Sequence, residues 1–366
     1  MKELKLSGKW RLTCIAPEGK GQSALAGVFP GHVHLDLLRA GRIPDPFWRD
    51  QAEVCKRVEQ WEWAYEREFV LGDDWVDSWA ALEFGGLDTF AKVILNGQVI
   101  GHTTNMIIPH RFEVGSILKP GCNYLRVHFD CIGKYTAGKS SGYERVCGTP
   151  ERIYMRRMQS TLHWDWVNRF VSCGIWGPVR LVRYDRARIS DIHVQTLRID
   201  CPGKIVADSA EVLAQIETER RTSEPIHVNV EIVSPSGGQT VWSSSEKLHA
   251  NQATWRLCLD TPKLWWPSGY GKQPLYCCRF NLMSQDGALL DSRKLRFGVR
   301  TVEIVQEVAA SNNAGQTLLR ELHAIHPVAE VAHYDAAGRD FIVRVNNEPI
   351  LMLPQDCLED HLVGTA

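Results

Sequence analysis

The segment HWDWVNRFVSCGIW, residues 163–176, concentrates unusual chemistry. It holds three tryptophans, one aspartate and one arginine in fourteen residues. A second pair of cations, Arg156 and Arg157, stands just upstream. An indole offers a flat apolar face, and a carboxylate accepts hydrogen bonds from two donors at once. Such groups suit gripping a ligand rather than breaking its bonds. Tryptophans in sandwich proteins also serve as plain packing. Packing is the expectation for Trp10 in GKWRL, Trp166, and Trp176 in GIWGPV.

These residues need elements to hold them. NYLRVHF (123–129) alternates, with Leu125, Val127 and Phe129 on one face and Tyr124, Arg126 and His128 on the other, as a half-buried strand does. FAKVILNGQVIG (90–101) predicts two strands joined at Asn96-Gly97, the pair that supplies the positive φ angles of a type I′ turn. WAALEF (79–84) and VRLVRY (179–184) are further strands. HVHLDLLRAG predicts one short helix, with Val33, Leu37 and Leu38 on a common face and Gly41 as its C-terminal glycine. From Ile189 a second series of strands begins: ISDIHVQT, IHVNVEIVSPSGG, ATWRLCLD and LYCCRFNLMSQDG. Their regular turn spacing predicts a smaller sandwich ending near Ile304. Beyond it, TLLRELHAI (317–325) has helical apolar spacing, and FIVRVNNEPILML (341–353) reads as two strands around Asn346-Asn347.

Composition sets wider limits. The chain has 366 residues, enough for two or three domains, with 44% apolar and 23% charged content. A net charge of −1 provides no basic face, so neither nucleic acid nor anionic lipid is an expected partner. The opening MKELKLSGKW lacks the apolar core of a secretory signal, and no apolar run is long enough to span a membrane. Eleven cysteines without a CxxC pair read as reduced thiols of a cytoplasmic chain. His32 and His34 could share one side of a strand, but no ligand set stands near them, so neither a metal nor another cofactor is expected.

At this point the motifs resemble those of glycoside hydrolase family 2, of the β-mannosidase type. FPGHVHLDLLRAGRIPDPF (29–47), VEQWEWAYEREF (58–69) and FGGLDTFAKVILNGQVIGHTTNM (84–106) are similar to that group's opening segments. RRMQSTLHWDW…GIWGPVRL (156–181), LWWPSGYGKQPLY (264–276) and FGVRTVEIVQE (297–307) follow in the same order. The resemblance implies an all-β fold: a galactose-binding-like jelly roll over 1–186, then an immunoglobulin-like sandwich over 187–304. A short mixed α/β tail, 305–366, would be the remnant of a (β/α)8 barrel's start.

The resemblance also implies a role for the opening segment. Trp164 and Asp165 would line the pocket for a terminal β-mannosyl unit, the ring packing on C–H groups and the carboxylate fixing hydroxyls. Arg156 and Arg157, matching the family's Arg-Lys pair, would line that pocket or orient Asp165. Val167-Asn168 departs from the family's Gly-Pro. The stretch Leu353-Pro354-Gln355-Asp356-Cys357 departs from its Lys-Gly-Ala-Asn-Trp.

The implied chemistry is retaining hydrolysis by two carboxylates about 5–5.5 Å apart. A barrel needs on the order of 250 residues, far more than follow Ile304. No catalytic residue is therefore expected in this chain, which alone is expected to be inactive. The chain would be a fragment, a truncated gene product or part of a split enzyme. The carbohydrate would be a β-mannoside, and the barrel would come from a downstream segment or another chain. The alternative is a free-standing carbohydrate-binding or scaffold protein without hydrolase activity.

Overall fold

A computed structural model of the chain describes residues 1–15, 24–139, 150–163, 167–201, 206–306 and 342–350. It divides into two compact units, Met1–Asp185 and Arg186–Ala366.

In the first unit, alternating sequences fold into two antiparallel sheets. Six strands run in the order Leu25–Phe29, Gly8–Ile15, Glu62–Leu71, Gly121–Phe129, Ala91–Leu95, Gln98–Thr103. Four run in the order Lys2–Lys5, Val179–Tyr184, Trp79–Phe84, His110–Glu113. Their apolar faces form one core that includes Trp10, Leu12, Tyr65, Leu82, Phe84, Leu125, Phe129 and Leu181. Trp10 is buried as expected, and its indole donates to the Leu6 carbonyl at 2.7 Å. Leu125, Val127 and Phe129 all point inward, while Tyr124, Arg126 and His128 lie on the opposite face. The 91–103 hairpin turns at Asn96 (φ 51°) and Gly97 (φ 84°). Asn96 also accepts from the Tyr124 amide at 2.9 Å and donates to the buried Asn123 at 2.8 Å, which ties the turn to the next strand.

The predicted helix is Val33–Arg39, and Gly41 follows at φ 63° with its amide on the Leu38 carbonyl at 3.0 Å. Val33 and Leu37 are buried, but Leu38 is exposed, so the expected common face is corrected. At 100° per residue Leu38 lies 140° from Val33, whereas Asp36 lies within the buried sector. Asp36 is 1% exposed and accepts from Tyr65 Oη at 3.0 Å and the Val28 amide at 3.1 Å. His32 precedes this helix and His34 sits in its first turn, so the two imidazoles do not share a strand face.

The second unit is a smaller sandwich. One sheet has the order Ala187–Asp200, Ser209–Arg220, Gln252–Asp260; the other has Thr240–Lys247, Ile226–Val233, Tyr276–Ser284, Leu289–Phe297. Val212, Ile216, Val230, Trp255, Phe280 and Leu282 fill the space between them. The adjacent Cys277 and Cys278 point to opposite faces, as the period of two requires. Burial pushes the Cys278 thiol up to about 12.

Strands Ile342–Val345 and Glu348–Ile350 form a hairpin at Asn346 (φ 53°) and Asn347 (φ 69°), and Ile342–Val345 also pairs with Val302–Val305. Asn346 is buried; it donates to the Trp265 carbonyl at 3.0 Å and accepts from the Thr301 amide at 3.1 Å. The expected 317–325 helix lies outside the described residues. Among the described residues, no helix is long and apolar enough to cross a membrane.

Phe280 is fully buried at the centre of the second sandwich. Phe280→Ala is expected to cost about 3–5 kcal/mol in chemical denaturation. A loss below about 1 kcal/mol would contradict the assigned core.

Candidate functional site

Trp164, Asp165 and Trp166 lie outside the described residues. Their flanks, 150–163 and 167–176, are described and show how the segment is anchored. Downstream, Gly174-Ile175 pairs with Leu87-Asp88 in a two-stranded ladder. The next residues back bond to the helix entry: the Val33 amide to the Cys173 carbonyl at 2.9 Å, and the His34 amide to Ser172 Oγ at 3.4 Å. Gly174 is required there, because a Cβ would stand 2.6 Å from the Gly31 carbonyl oxygen.

Upstream, the two arginines separate. Arg156 is exposed, and its carbonyl accepts from the Met106 amide at 3.0 Å. Arg157 is 4% exposed and faces Asp88, itself 5% exposed. Arg157 Nη2 donates to Asp88 Oδ2 at 2.9 Å and to the Ser172 carbonyl at 3.1 Å. The other Asp88 oxygen accepts from the Thr89 hydroxyl. A buried ion pair is costly to assemble, and removing one partner strands the other charge in a low-dielectric site. A small, partly open cavity of about 20 Å³ lies beside the pair, lined by Thr89, Asp130, Cys131, Arg157, Ser172 and Cys173. It has room for about one water and none for a pyranose.

Further ties close the segment. The Phe170 amide donates to the Thr161 carbonyl at 2.9 Å. Arg169 grips both oxygens of Glu59, at 3.1 and 2.9 Å, and reaches Glu151 at 3.4 Å. Arg152 donates to the carbonyl of His163, whose φ is 102°. Trp176, expected as packing, lies with one side against Gly86, where a Cβ would stand 2.1 Å from its ring. It is 38% exposed, and its indole donates to the Met106 carbonyl at 3.1 Å.

One group among the described residues has ligand atoms close enough for a metal: Glu62, His128 and Asp130, within 4.8 Å of one another. A resident cation already serves both carboxylates. Lys134 Nζ donates to Glu62 at 3.0 Å and to Asp130 at 3.1 Å, and this pairing raises the lysine's pKa. The arrangement is an ion network with its own ammonium. Among the described residues, Cys55, Cys122, Cys131, Cys173, Cys258, Cys277 and Cys278 are free thiols.

Sequence reasoning singled out Arg157 but not its partner Asp88, nor Ser172, nor the Glu59–Arg169 pair. A signal for Asp88 existed: it is a lone charge within the apolar run FGGLDTFA.

With that geometry in place, the comparisons are specific. Residues 10–177 match the family described as glycosyl hydrolase 2 galactose-binding domain-like, and residues 187–300 match glycosyl hydrolases family 2. The chain belongs to glycoside hydrolase family 2. Its first unit is a galactose-binding-like jelly roll and its second an immunoglobulin-like sandwich. Beta-mannosidase B of Thermothelomyces thermophilus is 35% identical over 285 residues, which is 76% of this chain and 32% of that protein. Beta-mannosidase of Mus musculus is 27% identical over 82% of this chain and 35% of its own length. The β-D-mannosidase structure from Dictyoglomus thermophilum superposes with a TM-score of 0.77 at 28% identity, covering 96% of this chain and 39% of that one. The family 2 chain thus spans about a third of the length of the relatives it matches.

Burial holds the imidazoles at the helix entry in their neutral form. It lowers His32, and it pushes His34 down to about 4 against an ordinary value of 6.5. The unfolded chain therefore binds a proton at His34 that the folded chain refuses between those two values. Stability from this site is present above pH 6.5 and declines as pH falls towards 4. His34→Gln is expected to flatten the pH dependence of denaturation midpoints between pH 6.5 and 4. An unchanged slope, or an NMR titration of His34 near 6.5, would contradict its buried neutral state.

Proposed function

We propose that this chain is the sugar-pocket and scaffold portion of a β-mannosidase-like retaining glycosidase. In this reading Trp164 stacks on the C–H face of the terminal mannosyl unit, and Asp165 accepts from its hydroxyls. The exposed Arg156 stands at the rim, and Arg157 supports the segment from beneath. The two carboxylates of the retaining reaction, one attacking the anomeric carbon and one protonating the leaving oxygen, are supplied by a barrel outside this chain. The observation that carries the reading is the family match over 10–177, a range that spans the Trp-Asp-Trp segment, alongside 35% identity to a protein named beta-mannosidase B. The jelly roll and the immunoglobulin-like sandwich then act as binding surface and scaffold, and neither breaks the glycosidic bond.

The chain by itself is expected to show no turnover of a chromogenic β-mannoside above the buffer blank. Calorimetry with mannobiose is expected to register heat at millimolar sugar. Asp165→Ala removes hydrogen bonds to a charged acceptor worth about 2 kcal/mol, roughly thirtyfold in Kd, and should abolish that heat. Turnover by the chain alone that Asp165→Ala abolishes would place the chemistry here and overturn the reading. No heat from the unaltered protein would leave a scaffold without a sugar site.

A further inference from the structure

Asp88 lies at the centre of the anchoring contacts, yet its carboxylate has no open face. One oxygen is committed to Arg157 and the other to the Thr89 hydroxyl, and the side chain is almost fully buried. The adjoining cavity is lined by Thr89 and Arg157 and not by Asp88. What Asp88 controls is Arg157. The same Nη2 group that meets Asp88 also holds the Ser172 carbonyl, fifteen positions further along the chain. One guanidinium therefore joins the start and the end of the segment that carries Trp164 and Asp165. Inside that closure, the Phe170–Thr161 backbone bond makes a second, narrower one. Arg169 fixes the descending arm to Glu59.

We infer that Asp88 is a positioning residue for the sugar-facing segment: it fixes Arg157, and Arg157 clamps the segment's two ends together. The inference rests on the pocket reading above for what the segment does. It rests on described contacts alone for how the segment is held. Without the aspartate's charge, Arg157 becomes a buried cation without a counter-ion, and it leaves the Ser172 carbonyl in search of water. The clamp opens while the sandwich core, which Asp88 does not support, stays intact. Replacing Arg157 by a neutral amide in the same background removes the stranded charge but leaves the segment's ends unclamped.

The test uses the full chain and hydrogen–deuterium exchange, followed by mannobiose calorimetry. Asp88→Asn is expected to speed exchange at least tenfold in residues 158–163 and 167–171, with strand Gly121–Phe129 unchanged. The double variant Asp88→Asn/Arg157→Gln should regain part of the denaturation stability that Asp88→Asn loses while exchange in those residues stays raised, because it lacks the guanidinium; a return to the exchange of the unaltered protein would show that the clamp is not needed and overturn the inference. The mannobiose heat should fall at least threefold in Asp88→Asn and stay low in the double variant. Equal acceleration of the segment and of Gly121–Phe129 would reduce Asp88 to global stability and overturn the inference. Lost sugar binding with unaltered exchange would also overturn it, because Asp88 would then contact the sugar itself. If Asp88→Asn does not fold, Asp88→Glu serves instead, with the same signature expected at smaller amplitude. If the unaltered chain gives no mannobiose heat, the pocket reading fails while the exchange arm still decides the clamp.

Discussion

A buried ion pair, Arg157 with Asp88, is the constraint on which the candidate site depends. Each charge is nearly removed from water, so each requires the other. The pair lies where three backbone segments meet: the Leu87-Asp88 strand, the Arg157 turn and the Ser172–Ile175 return. Apolar residues at those positions would bury more surface at lower cost. What they could not do is fix the direction of a chain whose described residues between 155 and 173 form no strand. The guanidinium supplies that direction, because its Nη2 group donates both to the carboxylate and to the Ser172 carbonyl.

Around this pair the jelly roll is a rigid support. Its two sheets close on Trp10, Tyr65, Phe84 and Phe129. Glycine serves the same purpose at Gly86 and Gly174, where the absence of a side chain lets Trp176 and the helix entry approach the backbone. The polar groups that remain inside are partnered in short chains, as Asp36 is by Tyr65 and the Val28 amide, and Asn123 by Asn96. The second sandwich depends less on polar fixation. Its strands Ser209–Arg220, Gln252–Asp260 and Tyr276–Ser284 alternate over an apolar core, and the 342–350 hairpin is fastened by Asn346.

Much of this was legible in the sequence because period-two alternation and turn chemistry are local. Leu125, Val127 and Phe129 point inward because their spacing says so, and Asn96-Gly97 turns because those residues adopt positive φ at low cost. The helix at Val33 was legible too, but the face of Leu38 was not. In a seven-residue helix one position decides the buried sector, and there Asp36 took it through a hydrogen bond to Tyr65. The same limit separates Arg156 from Arg157. Adjacent and chemically identical, they differ only in that one meets Asp88, which lies 69 positions away in the sequence. Distant partners of this kind leave little local trace, which is why Arg157 stood out in the sequence while its counter-ion passed as part of a signature.

The most direct test of the central claim is a double-mutant cycle on Asp88 and Arg157, with Asp88→Asn, Arg157→Gln and the pair of changes measured by chemical denaturation. The account predicts that the double variant is more stable than the two single losses summed would allow, with a coupling of at least about 1.5 kcal/mol. Losses that add to within about 0.5 kcal/mol would mean that the two side chains do not hold one another, and that the segment between them is fixed by something else.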